Sequence, residues 1–412
     1  MSIVATLSAG CGVGQDPHVL TFAGSAVGAE GDAIRRQIDR FHATHPAIRV
    51  DLRATPDAAD QRHQLYVQWL NAHASDPDVL QLDVVWTPEF AAAGWILDLD
   101  RFHASTSDFF PAAVDANRWN GAVYALPWFI DVGMLYWRTD LMSHPPTDLD
   151  DLERLATVAK AEHGLPFGLV WQGARYEGLV TVFLEYLGAF GGRILDDGGR
   201  VALNSEAAVT ALTTMHDEIY VDRIVPPAAL TWQEEQVRFA FQNGQAVFMR
   251  NWPYAFGLLQ ERSQSRVAGR FAVASMPAGP RGAPTSALGG SVLAINAYSG
   301  DRDDAYLLIE FLLQQEQLLE RARVVGQYPP RPTMYDTPAL ADALPIAPHE
   351  ARGIIERAVA RPATPVYTEL SEILQIALHR ALTDQQAPRT ALADAAAAIQ
   401  ALLDKAGLRS DR

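Results

Sequence analysis

Polar groups able to bond a hydroxyl recur in this sequence beside aromatic rings, at predicted strand ends. Asp131 sits in "ALPWFIDVGMLYWRTDL" (125–141), surrounded by Trp128, Phe129, Ile130, Met134, Leu135, Tyr136 and Trp137. Asp83 precedes Trp86 in "LDVVW", and Trp252 and Tyr254 flank the rigid Pro253 in "RNWPYAFG". Gly289 and Gly290 expose backbone amides in "LGGS", and Arg361 precedes Pro362 in "ARPATPVY". A buried carboxylate is costly unless hydrogen-bond donors surround it. Asp131 therefore predicts donors, supplied by the protein or by a ligand rich in hydroxyl groups. A pyranose fits such a set: its C–H face packs on an indole or phenol, and its equatorial hydroxyls suit carboxylates and arginine. Each position alone reads first as core packing. Their co-occurrence is what points to a ligand.

Signatures of other chemistries are missing. "GCGVG" (10–14) has no strand before it, so it is no dinucleotide loop, and there is no Walker motif, nucleophile elbow or His-Glu-x-x-His pair. His42 and His45 lie three apart on a predicted helix without an acidic partner, which reads as a solvated helix end rather than a metal site. Carboxylates are plentiful enough to supply a glycosidase acid pair, Glu30 with Asp131 for instance, and that alternative stays open.

The elements that must position these residues alternate between strand and helix. "VLTFAG" (19–24) reads as a buried strand, then Ile34, Ile38 and Phe41 recur at helical spacing until Pro46. "IRVDL" (48–52) alternates as a second strand, a helix follows over 57–73, and "DVLQLDVVW" (78–86) is a third strand. Thr87 is expected to cap the next helix, with Pro88 at its first position. Later come a strand ending at Trp171, a mostly apolar helix over 177–192, and a helix, turn and strand across 234–251. A strand over 291–299, a helix over 304–319 and a C-terminal helix between Pro388 and Gly407 complete the series. This order predicts an α/β fold with parallel strand–helix–strand units.

At 412 residues the chain exceeds one usual core, so two domains are expected. Acidic residues number 49 against 33 basic, a net charge of −16 that argues against nucleic acid and anionic lipid as partners. The one cysteine, Cys11, excludes an intrachain disulfide. Its setting, "TLSAGCGVG", resembles the lipobox of bacterial lipoprotein signals, although Leu7 sits one place early and only ten residues precede Cys11. An N-terminal tail with an incidental cysteine is the alternative. No later stretch approaches the roughly 20 apolar residues of a membrane span.

Taken together, "SDPDVLQLDVVW" (75–86), "YALPWFIDVGMLYWRTDL" (124–141), "WQGARYEGLV" (171–180), "RNWPYAFGL" (250–258), "LGG" (288–290) and "ARPATPVYTELSEIL" (360–374) resemble the extracellular solute-binding proteins of ABC sugar importers, in their trehalose/maltose-binding branch. The resemblance implies a two-lobed, hinge-linked α/β fold, the periplasmic-binding-protein or Venus-flytrap fold, with sugar held in the cleft. It implies a leader over 1–16, a first lobe of 17–127 plus 276–325, and a second of 128–275 plus 326–412.

Carried over position by position, Glu30, Arg62, Asp83 and Asp131 would bond sugar hydroxyls, and Phe129 stands where relatives have a ring, often tyrosine. Trp252 would be the main stacking platform and Tyr254 a neighbouring contact. Gly290 would offer an amide and Arg361 would reach the ligand from the second lobe. Two positions depart from the pattern: Ser291 replaces a second stacking tryptophan, and Asp57 replaces a hydroxyl side chain. The implied function is non-enzymatic capture of an α-glucoside disaccharide, trehalose first and maltose second, for delivery to a membrane permease and its ATPase. It would act as a monomer, without cofactor or metal, in the periplasm or on the outer face of the cytoplasmic membrane, anchored through Cys11. The alternatives are a glucosyl-polyol, sucrose or maltodextrin ligand, or a secreted glycoside hydrolase.

Overall fold

The computed structural model describes residues 18–26, 28–56, 58–280 and 285–408; Cys11 and Asp57 lie outside them. In chain order the strands are β1 (His18–Gly24), β2 (Ile48–Ala54), β3 (Val79–Asp83), β4 (Arg118–Trp119), β5 (Ala122–Val123), β6 (Leu126–Val132), β7 (Met134–Arg138), β8 (Phe167–Val170), β9 (Ala246–Asn251), β10 (Phe271–Ser275) and β11 (Leu288–Ile295). Two sheets dominate. The first has the order β2-β1-β3-β11-β6, with β1 parallel to β2 and β3, and β11 antiparallel to both its neighbours. The second has the order β10-β7-β9-β8, in which β8 and β9 are parallel. Each sheet carries helices, giving a two-lobed α/β fold; β4 and β5 form a separate hairpin.

Local pattern explains most elements. In the helix Gly28–Thr44 the residues Ile34, Ile38 and Phe41 are buried at helical spacing, and the helix ends before Pro46. The helix Glu177–Ala189 is buried nearly all round, because it packs against the helices Glu206–Tyr220 and Tyr367–Leu382. A helix with no solvent face tolerates charge only where it is paired. It carries Glu177 and Glu185, both buried.

Several elements depart from expectation. β3 stops at Asp83 rather than Trp86, because Asp83 turns the chain: its carboxylate accepts from the Val85 amide at 3.2 Å and its carbonyl from the Trp86 amide at 3.0 Å. Thr87 is the first residue of the helix Thr87–Ala92, not its cap, which puts Pro88 one place further in than expected. The Thr87 hydroxyl is spent on Asn117 Oδ1 at 2.6 Å. The single helix expected over 304–319 is two, Arg302–Leu312 and Gln315–Val325, broken where Gln314 takes an extended ψ of 146°.

The chain passes between the sheets in three places. Gly133 separates β6 from β7; residues 276–280 and 285–287 lie between β10 and β11; and Val359 lies beside Ala287, its amide donating to Ser286 O at 2.8 Å. The expected divisions after 127 and 325 therefore shift. β6 belongs wholly to the first sheet, and the segment 326–357, expected in the second lobe, packs on the first. Tyr328 exchanges backbone bonds with Ile130 at 2.8 and 3.2 Å, and Arg331 pairs with Asp108. The helices Tyr367–Leu382 and Pro388–Lys405 follow on the second lobe, against Glu206–Tyr220.

Candidate ligand-binding site between the lobes

β3 and β6 both run antiparallel to β11, so their carboxyl ends, bearing Asp83 and Asp131, lie on one edge of the first sheet. Ser291 of β11 is level with Asp83 on one side and Phe129 on the other, and Gly289 is level with Asp131. Phe129 and Asp131, two apart on a strand, share a face. The edge where strands end and helices begin is where open α/β sheets bind ligands.

Asp131 Oδ1 is buried and has no hydrogen-bond partner in the protein. Burial, then the carboxylates of Glu30 and Asp83, push its pKa up to about 7, against the opposing pull of Arg321 and Arg250. Gly290 beside it has φ +121°, and a Cβ there would lie 2.2 Å from Phe129 O, so only glycine fits.

Glu30, in the first turn of its helix, accepts from Arg321 Nη2 at 3.0 Å, Gln327 Nε2 at 3.1 Å and Gln81 Nε2 at 3.4 Å. Arg321 is buried over Trp128, its Cζ 3.8 Å from the ring centroid, and its Nη1 has no protein partner. Burial lowers its pKa to about 10, with Glu30 and Asp131 opposing, so it stays protonated near neutrality. Ser291 is buried, and its Oγ accepts from Gln81 Nε2 at 3.1 Å.

The second lobe answers with Arg361. Its Nη2 donates to Asp83 Oδ1 at 2.7 Å and its Nη1 to Glu177 Oε1 at 2.9 Å, while its Nε is buried without a partner. Burial alone would lower the Arg361 pKa, but the Asp83 and Glu177 charges reverse this and raise it. Glu177 also accepts from Tyr367 Oη at 2.6 Å and from Ser371 Oγ. A second contact joins the lobes nearby: Glu89 Oε2 accepts from Thr368 Oγ1 at 2.7 Å and pairs with His63 Nε2 at 2.9 Å.

Trp252 follows β9. Its backbone amide donates to Asn251 Oδ1 at 2.8 Å, its indole lies 3.5 Å from Glu234 Oε1, and the Arg250 guanidinium stacks 4.0 Å from its ring centroid. A Cβ built on Gly289 would be 3.3 Å from Trp252 Cζ3 and 3.6 Å from Asp131 Cβ, so the ring and the Asp131 side chain both stand against that glycine.

Of the predicted residues, Glu30, Asp83, Phe129, Asp131, Gly290, Arg361 and Trp252 come together in this way. Tyr254 stands further along, its hydroxyl donating to Glu235 Oε1 at 2.8 Å. Arg62 stacks 5.4 Å from the Trp86 centroid and donates to Pro56 O at 3.2 Å, on the first-lobe flank. Sequence reasoning missed Glu177, Gln81, Arg321 and Arg250. The signal for Glu177 was available, since an acid in an otherwise apolar helix needs a cationic partner. Among the described residues no group of three or more His, Cys, Asp or Glu could hold a metal, and none of their helices is long and apolar enough to cross a membrane. His42 accepts from the Val50 amide at 2.8 Å and His45 stacks on Phe41, so the two are not a metal pair.

The sequence profile described as bacterial extracellular solute-binding protein matches residues 25–318. The chain belongs to that family. A probable ABC transporter-binding protein of Deinococcus radiodurans is 36% identical over 388 residues, covering 90% of this chain and 91% of that one. Maltose-bound MalE3 of T. maritima is 40% identical, covers 93% of this chain and 100% of that one, and superposes with a TM-score of 0.88. The GacH receptor of Streptomyces glaucescens, solved unliganded and with acarbose, shares the fold at 23% identity and a TM-score of 0.84, covering 95% of this chain and 99% of that one. By their descriptions the Deinococcus relative is a binding protein and MalE3 binds maltose.

Proposed function

We propose that this solute-binding protein captures an α-glucoside disaccharide, trehalose first and maltose second, between its lobes and hands it to the membrane permease of an ABC importer. What carries the reading is a set of buried polar atoms without protein partners, Asp131 Oδ1, Arg321 Nη1 and Arg361 Nε, on residues drawn from both lobes beside the Trp252 ring. Two N–H donors and one acceptor suit a sugar's hydroxyls, each of which both donates and accepts. The MalE3 relative, described as maltose-bound, supports a disaccharide of glucose. Ligand touching both lobes favours the closed arrangement, which the permease would recognise. The lobes would hinge where the chain crosses, at Gly133 and around Ala287 and Val359. The protein would work as a monomer outside the cytoplasmic membrane, tethered through a lipidated Cys11.

Ser291 favours a second reading. Its hydroxyl is bound to Gln81, so this position supplies no ring, and a smaller or differently shaped glucoside such as glucosylglycerol gains room. Sucrose and maltodextrin belong to the same reading. Thermal-shift measurements against trehalose, maltose, sucrose, maltodextrin and glucosylglycerol test both. A ligand at 100 times its Kd stabilises by about 2.7 kcal/mol, a clear shift; silence across the whole panel would overturn both readings.

A further inference from the structure

Glu185 and Arg250 form an ion pair inside the second lobe, each about 1% exposed at the side chain. The pairing is two-pronged, Arg250 Nε to Glu185 Oε2 at 2.9 Å and Nη2 to Oε1 at 2.6 Å. The third nitrogen, Nη1, donates to Gln172 Oε1 at 3.3 Å, and Gln172 Nε2 returns to Arg250 O at 3.3 Å. Such a pair is satisfied, but burying two charges gives little net stability over an apolar filling. Its position suggests another use.

Two of the three crossings meet the pair. Glu185 Oε1 accepts from the Ala287 amide at 3.2 Å, and Ala287 in turn accepts from the Gly133 amide at 3.2 Å and bridges to Val359. A Cβ on Gly133 would lie 1.7 Å from Glu185 Oε1 and 2.7 Å from Arg250 Nη2, so the crossing strand passes directly over the charges. The same guanidinium lies over the Trp252 indole, 4.0 Å from its centroid. The bidentate grip of Glu185 fixes the plane of that guanidinium, and a cation held over an indole face restrains the indole.

We infer that Glu185 and Arg250 are positioning residues that tie the orientation of Trp252 to the crossing strands at Gly133 and Ala287. A shift of these strands against each other during lobe movement displaces the carboxylate, then the guanidinium, then the ring. The stacking platform is thereby presented in register with the lobe angle. This rests on the sugar-binding reading for its consequence, though the coupling itself does not.

The test uses protein labelled with 5-fluorotryptophan, the Trp252 resonance being assigned among the nine tryptophans by Trp252→Phe. Glu185→Gln keeps shape and an acceptor but loses the charge. Gly133→Ala displaces the pair with both charges kept. Glu185→Leu with Arg250→Met removes both charges together, which keeps a folded variant available where a single change unfolds the chain. In each, the Trp252 fluorine resonance should move more than those of the other tryptophans, in the absence of sugar. Affinity for trehalose or maltose should fall on the order of tenfold, and fall no further when the change is made on Trp252→Ala. An unmoved Trp252 resonance, or losses that simply add to that of Trp252→Ala, would overturn the inference. If the parent binds neither sugar while the resonance still moves, the sugar reading fails and the coupling stands.

Discussion

Arg361 reaches Asp83 at 2.7 Å, and this contact joins the end of a first-lobe strand to a residue held by second-lobe helices through Glu177. The two lobes thus share one guanidinium. Arg361→Met leaves Asp83 and Glu177 facing each other uncompensated, with the Glu177 carboxylate still bonded to Tyr367 and Ser371. Breaking one partner of a buried pair costs about 3–5 kcal/mol. The melting temperature should fall, and small-angle scattering should show a larger radius of gyration than the parent under the same conditions. An unchanged radius would mean the contact does not govern lobe separation.

Asp131→Ala removes the acceptor whose Oδ1 has no protein partner. Losing a buried hydrogen-bond group that a ligand hydroxyl completes costs on the order of 1–3 kcal/mol. Calorimetric titration with trehalose should therefore show affinity lowered by about 5- to 150-fold at unchanged stoichiometry. Parent-like affinity would remove Asp131 from the site.

The same carboxyl sets a pH dependence. Its pKa in the folded protein is raised from the ordinary 3.8 to about 7, first by burial. A raised carboxyl favours the folded state while protonated, so this contribution is present at low pH and is lost as pH climbs through about 7. Glu218, buried and also raised to about 7, acts in the same sense. A sugar hydroxyl donating to Asp131 favours the ionised form, so trehalose affinity should rise from pH 5.5 to 8 with proton release below neutrality. Asp131→Asn should flatten the affinity profile and leave the Glu218 contribution to stability intact. Titrations in buffers of different ionisation enthalpy read the released proton directly.

How far the sequence spoke for itself follows from range. Strands, helices and the aromatic-acid stretches are local patterns, and most elements fall within a few residues of their predicted bounds. The break at Gln314 carries neither proline nor glycine to announce it. The turn after Asp83 depends on one carboxylate folding back on its own chain, which an apolar run such as "LDVVW" conceals. Charge partners were the hardest to see. Arg361 finds Glu177 across 184 positions and Arg250 finds Glu185 across 65, separations that spacing rules cannot reach. Trp252 and Asp131 were recognisable by type and neighbourhood, and Phe129 through the family resemblance; Arg321 lies beyond the predicted 304–319 helix, and its ring partner Trp128 is 193 positions away.

Trp252→Ala should weaken trehalose binding by about 1 kcal/mol or more through lost ring packing. Because the Arg250 guanidinium then loses its indole, a smaller fall in melting temperature should accompany it. Fluorescence quenching by the sugar should also vanish if Trp252 is the reporting ring. Quenching that persists would point to another tryptophan.

Gly290→Ala meets two obstacles at once, a φ of +121° and a carbonyl 2.2 Å from the new carbon. Strain of this kind costs on the order of 1–3 kcal/mol. Thermal denaturation should show a clear loss of stability, whereas Gly257→Ala, where nothing lies within 4 Å of the new atom, should be nearly silent.

In the first sheet β11 lies between β3 and β6, yet it is contributed some 155 positions after β6 ends, once the second sheet's strands have all been laid down. A chain emerging from the ribosome therefore holds β6 without its neighbour until Leu288–Ile295 has left the exit tunnel. Neither half can be excised as a self-sufficient piece, and a premature stop before Leu288 leaves both β3 and β6 with an open edge, a template for aggregation.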